Sequence, residues 1–433
     1  MNRRTNRRAV IIGGGIAGLL AGHVLAARFE RVTILERGSY PADASSLAPP
    51  ARRGVPQSRC LHLLTAAGAA TFDKLAPGWR EDLIALGARP FDVSADSVLR
   101  VPTGSLPRVR SGMITYACSR ALLENVLRRG LAANSRVRLR EGHKVVGLLC
   151  SLRDRRVSGV RTAARISQDA KTFLADLVVD ASGAGSTLSD WISRLPHGLA
   201  SVVEQTVIEG GSSYVSRWFH IEPADAPDWS CFSIAPRPDA GLRSAMMLRA
   251  ERNRWGLVLL APASESPPCD DVAFLGFIAR FDDPELQSAL RHARPVSPIH
   301  RYGPTPNRMM RYERLTAWPR GLVATGDSVC TLDPYFGLGM TAAARGAALL
   351  GKYLDRQPGT PVRGLDFQNE LASLNAQPWQ LATGCDPDGW PLERDRLKLQ
   401  GLYDNAPSSP EAAHALLAVQ HLLRPAETLE AAV

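Results

Sequence analysis

The stretch up to Glu36 constrains the fold most. Ala9-Val-Ile-Ile12 reads as a short buried strand, Gly13-Gly14-Gly15-Ile16-Ala17-Gly18 as a turn, Ile16 to Arg28 as an Ala/Leu-rich helix, and Arg31-Val-Thr-Ile-Leu35 as a second strand. The pattern G-x-G-x-x-G thus falls on Gly13, Gly15 and Gly18 between strand and helix, with Glu36 at the end of the second strand. Each position has a mechanical task. Gly13 makes the tight turn, Gly15 lets backbone amides approach a pyrophosphate at the helix N-terminus, and Gly18 permits close helix–strand packing. Glu36 stands where an acid accepts ribose hydroxyls. A glycine match alone says little, but strand, turn, helix, strand and acid together specify a dinucleotide-binding βαβ unit and hence an α/β chain.

The same N-terminus superficially copies a signal peptide or membrane span, because Arg3, Arg4, Arg7 and Arg8 precede an apolar run from Ala9 to Phe29. Three consecutive glycines would break such a helix, and His23 and Arg28 interrupt the run, so a cytoplasmic protein is expected. The seven cysteines are scattered, with no C-x-x-C pair and no zinc spacing, and read as reduced thiols. The formal net charge of +10 comes almost wholly from arginine, since only five lysines occur. These arginines are spread along the chain rather than gathered with aromatics, which indicates a solvated basic surface and excludes a nucleic-acid platform. At 433 residues the chain can hold two domains or one large α/β body with an inserted layer.

Two later segments separate a flavin from a nicotinamide site. Leu177-Val-Val-Asp180 reads as a strand followed by a small-residue turn, Ala181 to Ser186. Leu322-Val-Ala-Thr325 is another strand, followed by Asp327, a loop, and a long small-residue helix beginning near Gly339. Asp327 can hold ribityl hydroxyls. The helix N-terminus at Gly337-Leu338-Gly339-Met340 can aim its amides and the positive end of its dipole at the pyrimidine side of a flavin. Glu36-Arg37-Gly38 adds the acid–base pair frequent after the second strand of flavoproteins, so FAD is the expected cofactor.

On these motifs, with Asp180-Ala-Ser-Gly183, Gly326-Asp327, Asp333-Pro334 and Gly337-x-Gly339, the sequence resembles the FAD-dependent monooxygenases with the glutathione reductase-type fold, the p-hydroxybenzoate hydroxylase-like class. Arg52-Arg-Gly-Val-Pro-Gln-Ser-Arg-Cys-Leu-His62, Ala117-Cys-Ser-Arg-Ala-Leu-Leu-Glu124, the tract from Tyr312 to Asp327 and Trp379-Gln-Leu-Ala-Thr383 look like bacterial epoxidases and hydroxylases of secondary metabolism, including those of polyether assembly. The resemblance implies cofactor contacts from Gly13, Gly15, Ile16, Ala17, Gly18, Glu36, Arg37, Arg53, Gln57, Arg120, Asp327, Pro334, Gly337, Gly339 and Met340. It leaves His62 either lining the flavin cavity or serving as a satisfied structural histidine. Departures are visible. The class commonly has an arginine in the turn that here reads Gly183-Ala-Gly-Ser, and many members have His where Ser328 stands and Asn where Met340 stands; the epoxidase-like subgroup usually has His where Cys60 stands.

The implied reaction is insertion of one oxygen atom from O2, by way of an FAD C4a-hydroperoxide, into a small secondary metabolite by epoxidation or hydroxylation. Electrons would come from NAD(P)H or a separate flavin reductase, and a carrier-protein-bound substrate is open. No catalytic triad or metal is expected, and no G-x-S-x-G or H-E-x-x-H occurs. A flavin halogenase is disfavoured because W-x-W-x-I-P is absent, Trp229-Ser-Cys-Phe-Ser-Ile234 being the nearest string. A Baeyer–Villiger-type oxygenase and a non-catalytic flavin-binding protein share the same cofactor motifs and stay open. The expected architecture is an FAD-binding domain from 1–190 with 316–356, of which about 76–104 can belong to the substrate layer. An inserted substrate-binding sheet would span 191–315, with strand-like runs Gln205–Ile208, Ser244–Leu248 and Trp255–Leu260, and a helical cap would span 357–433. Phe219, Trp255, Phe274 and Phe277 are candidates for apolar cavity lining, or for ordinary sheet core.

Overall fold

The computed structural model describes residues 7–41, 52, 56–151, 153, 155–164, 170–195, 202–237, 242–262, 264–358 and 362–426. Its organising element is a five-stranded parallel sheet in the order Leu322–Ala324, Leu177–Asp180, Arg8–Ile12, Arg31–Leu35, Val137–Arg140. The inner strands are apolar runs buried on both faces, the pattern of a parallel sheet sandwiched between other layers. Register matters here. Ile12 pairs with Leu35 on one side and Asp180 on the other, and Asp180 pairs with Ala324, so the three motif turns leave the sheet at one edge.

Helix Ile16–Ala26 covers one face together with helix Gly339–Arg356. Small residues let them approach closely: a Cβ on Gly351 would stand 3.2 Å from Val24. The first helix ends two residues before Arg28, whose guanidinium instead bonds the Val24 carbonyl at 2.7 Å and pairs with Asp355. An antiparallel meander of His143–Ser151, Arg156–Ala164 and Ala170–Leu174 forms a separate layer.

A second, eight-stranded sheet runs Arg294–Pro295, Ser212–His220, Arg254–Pro262, Ser244–Arg249, Cys231–Ile234, Ser97–Val101, Gly104–Ser105, with His300–Tyr302 also on Ser212–His220. Ser97–Val101 joins it in parallel to Cys231–Ile234, so a segment from the first third of the chain completes a sheet built mainly after residue 211. Helices Asp271–Ala279 and Pro284–Arg291 pack on one face of this sheet. Phe219, Trp255, Phe274 and Phe277 all lie inside that sheet–helix interface, each 5% exposed or less. They are core and not cavity lining: Phe219 and Trp255 are cross-strand neighbours on the sheet face that helix Asp271–Ala279 covers, and Phe274 and Phe277 are that helix's own side chains in the same core.

The tail is helical over Gly364–Thr383, Glu393–Asn405 and Pro410–Gln420. It packs back on the body: Leu402, Ala406, Leu416 and Leu417 share a core with Ala66, Val93 and Met113, and the Ala66 amide donates to His421 Nδ1 at 3.0 Å. Among the described residues no helix is long and apolar enough to cross a membrane.

Candidate flavin site

The glycine turn is shaped by close backbone approaches. Gly13 holds φ +97°, and a Cβ there would sit 2.4 Å from the Ala181 carbonyl oxygen. Gly18 passes so close to Gly13 that a Cβ would lie 1.9 Å from the Gly13 oxygen. Gly15 behaves differently. It is the N-cap of helix Ile16–Ala26 without any side-chain cap, and a Cβ there meets nothing within 4 Å. The first turn of a helix has amides without intrahelical partners. Here the amides of Ile16, Ala17 and Gly18 follow the open Gly15 at the positive end of the dipole, a cradle suited to a diphosphate.

Glu36 is locked by the backbone around it. Oε2 accepts the Gly14 amide at 2.9 Å and Oε1 the Gly38 amide at 2.7 Å. Its charge is met by Arg52, whose NH2 group reaches Oε2 at 2.7 Å while NH1 reaches Glu124 Oε2 at 2.8 Å. Arg52 also donates to the Gly14 carbonyl and stacks on Tyr40, whose hydroxyl donates to the same carbonyl. Burial works against the Arg52 charge, but Glu124 and Glu36 outweigh it and raise its pKa. Arg53, the arginine expected beside the ring, lies outside the described residues. Gln57 falls in the short 3-10 helix Pro56–Arg59. Arg37 is exposed. The sequence signal for Arg52 was only the Arg52-Arg53 pair, with no periodicity to say which member points inward.

Arg120 opens helix Arg120–Ala132, capped by Ser119, whose hydroxyl accepts the Leu122 amide and donates to Glu251 Oε1 at 2.6 Å. That second bond ties the helix start to the eight-stranded sheet. The Arg120 guanidinium lies 3.3 Å from His62 Nε2 and 3.5 Å from Glu124, and its Nε is buried without a partner among the described residues. His62 Nδ1 lies 3.0 Å from the Cys60 carbonyl. Burial and the Arg120 charge push the His62 pKa down to about 3, so the ring is neutral, its Nδ1–H donating to Cys60 and its Nε2 accepting from Arg120. His62 is therefore a satisfied residue that orients Arg120.

Asp327 sits in the 3-10 turn Gly326–Ser328, beside the start of helix Gly339–Arg356: a Cβ on Gly339 would be 3.8 Å from its Oδ1. Among the described residues its carboxylate accepts no hydrogen bond. Burial raises its pKa, opposed by Arg120 and Arg308. Gly326, at φ +69°, brings this turn against Ala17, where a Cβ would stand 2.7 Å from that of Ala17. Pro334 is exposed in the 3-10 turn Pro334–Phe336, and Gly337 ends that turn at φ +64°. Met340 is buried in the core, so it can offer a cofactor only its backbone amide. Asp180 lies fully buried beneath, bonded by the Ser182 amide and the Ser186 hydroxyl, and burial raises its pKa.

The structure thus gathers the glycine turn, Glu36, Arg120, Asp327 and the Gly339 helix start, and adds Arg52 and Glu124. These residues fit FAD: an uncapped amide cradle with room for a ligand, an acid at the ribose position, an unpartnered carboxylate and a second helix N-terminus.

Comparison with known proteins agrees. Residues 7–356 match the FAD binding domain family. The chain is 32% identical to Protein Rv3254 of Mycobacterium tuberculosis (strain ATCC 25618 / H37Rv) over 386 residues, 85% of this chain and 77% of that one. It is 27% identical to kynurenine 3-monooxygenase of Salinispora tropica over 83% of this chain and 74% of that one. Its fold superposes on the flavin-dependent brominase Bmp2 with a TM-score of 0.69 at 15% identity, covering 95% and 92% of the two chains. The chain belongs to the FAD binding domain family, within the p-hydroxybenzoate hydroxylase-like flavin-dependent monooxygenases.

Proposed function

We propose that this monooxygenase inserts one oxygen atom from O2 into a small, mainly apolar secondary metabolite by epoxidation or hydroxylation, with NAD(P)H or a separate reductase as electron source. The observation that carries the flavin part is the convergence of the uncapped Gly15 turn, Asp327 and the Gly339 helix start at one edge of the parallel sheet. Bound FAD would supply O2 activation, the chemistry no protein side chain provides. The chain's own residues hold and shield it. Amides of Ile16 to Gly18 receive the diphosphate, Glu36 the adenosine ribose, Asp327 and Arg120 the ribityl and phosphate region, and the Gly339 amides the pyrimidine edge. The eight-stranded sheet would form the wall that orients the acceptor and excludes water. The domain boundaries given above, and a cytoplasmic location, belong to the same reading.

The test uses purified protein with FAD, NADH or NADPH with and without a flavin reductase, and a panel of long-chain alkenes and electron-rich phenols under labelled O2. The expected result is a yellow protein and a product that gains labelled oxygen with or without halide. Label from water, or turnover that requires chloride or bromide, would overturn oxygen transfer. A protein that stays colourless after incubation with FAD would overturn the flavin reading itself.

A further inference from the structure

The turn Ala181 to Ser186 stands against the glycine turn, yet it carries no cation of its own. Gly183 and Gly185 both have open space where a Cβ would be, so this turn too faces a volume without protein atoms. One cation from elsewhere reaches it. Arg308 lies on Asn307–Met310, the central strand of a three-stranded antiparallel sheet between Gln205–Ile208 and Cys330–Thr331. Its NH2 group donates to the Ala184 carbonyl. The same side chain acts on Asp327, where its charge and that of Arg120 oppose the effect of burial. Strand pairing fixes this geometry: Arg308 pairs with Thr331, whose hydroxyl donates back to the Asp327 carbonyl at 2.9 Å.

We infer that Arg308 is an anion-binding residue of the dinucleotide site, lent to the Ala181–Ser186 turn across 124 positions of sequence to offset the negative charge of the cofactor's diphosphate beside Asp327. The inference rests on the FAD reading and deepens it. A diphosphate is dianionic and Asp327 adds a third negative charge. Among the described residues, the charges of Arg120 and Arg308 both favour the ionised Asp327. Without Arg308 the turn would lose the arginine bonded to Ala184, and the Asp327 carboxylate would be harder to keep ionised. An arginine suits this place because its fork can bond Ala184 with one nitrogen and keep others for a phosphate oxygen.

The experiment measures FAD binding to the apoprotein by quenching of flavin fluorescence at several salt concentrations, with thermal unfolding of each apoprotein as the folding control. Arg308→Gln should lose about 10- to 100-fold in affinity and show a shallower salt dependence, with the apoprotein melting near wild type. Moving the cation onto the turn, as Ala184→Arg in the Arg308→Gln background, should restore at least half of the lost affinity on a logarithmic scale and the salt slope. Wild-type affinity and salt slope in Arg308→Gln would overturn the inference. So would a loss that Ala184→Arg does not recover, because it would make Arg308 a strut of its strand rather than a cation for the ligand. Should Arg308→Gln melt far below wild type, Arg308→Lys decides: it keeps the charge, and its affinity must stay nearer wild type than that of Arg308→Gln. Wild-type protein that binds no FAD at any salt would refute the flavin reading instead, whatever Arg308 does.

Discussion

Replacing Gly15 by valine should weaken FAD binding strongly while leaving the fold intact, whereas the smaller change Gly18→Ala should destabilise the fold itself. Gly15 has φ −80° and ψ −173°, extended backbone open to any residue, and an added Cβ meets no atom within 4 Å. The unfolded chain loses entropy when glycine is replaced, worth about 0.4–1 kcal/mol to the fold, and an apolar residue at an N-cap costs up to about 1 kcal/mol. The net change in apoprotein stability is therefore within about 1 kcal/mol of zero. The branched side chain, however, fills the place where a diphosphate must meet the amides. Losing one charge-assisted hydrogen bond there costs about 1.5–3 kcal/mol, and weakening the helix-terminus interaction about 0.3–1 kcal/mol more. Affinity for FAD should fall by roughly 20- to 700-fold. At Gly18 the new Cβ would stand 1.9 Å from the Gly13 carbonyl oxygen, a backbone overlap that must distort the turn at about 1–3 kcal/mol or more. Thermal melts of the apoproteins and flavin-fluorescence titrations read both effects. If Gly15→Val lowers the apoprotein melting temperature as far as Gly18→Ala, or binds FAD like wild type, the assignment of the open space to a ligand is wrong.

Other consequences concern the charged groups around the site. Arg52→Ala strands two buried carboxylates, Glu36 and Glu124, and should destabilise the protein by about 3–5 kcal/mol in urea unfolding, with Glu124→Gln in the same chain recovering part of the loss. Asp327→Ala should weaken FAD binding by about 1–3 kcal/mol in the same fluorescence titration, and unchanged retention would show that its carboxylate faces no hydroxyl of the cofactor. His62 and His421 are neutral in the fold, with pKa values pushed down to about 3 and about 4, against about 6.5 when unfolded. Their contribution to stability is complete above pH 6.5 and is lost as pH falls toward those folded values. At pH 5 each can cost up to about 2 kcal/mol. Urea midpoints at pH 7 and pH 5 should therefore converge in a His62→Gln, His421→Gln double variant, and an undiminished difference would place the acid sensitivity elsewhere.

Much of the cofactor frame was legible in the sequence because its requirements are local. Gly13 needs a positive φ and Gly18 a missing side chain, and the strands flanking them announce themselves as short apolar runs. Glu36 follows from its distance to the turn, and the acid at Asp327 and the helix beginning at Gly339 from the strand before them. What the sequence left open is long-range. Arg52 carries no motif of its own in the sequence, and Glu124 becomes its partner through a bond across 72 positions. Phe219, Trp255, Phe274 and Phe277 could have lined a cavity or filled a core, since apolar side chains serve both. Helix Asp271–Ala279 decided for core by packing its own Phe274 and Phe277 over the sheet face that carries Phe219 and Trp255. Arg308 carries no motif at all. Its proposed part in the site arises because strand register pairs it with Thr331 and brings its guanidinium to Ala184, and pairings between distant segments are fixed by packing the whole chain, not by the residues next to it.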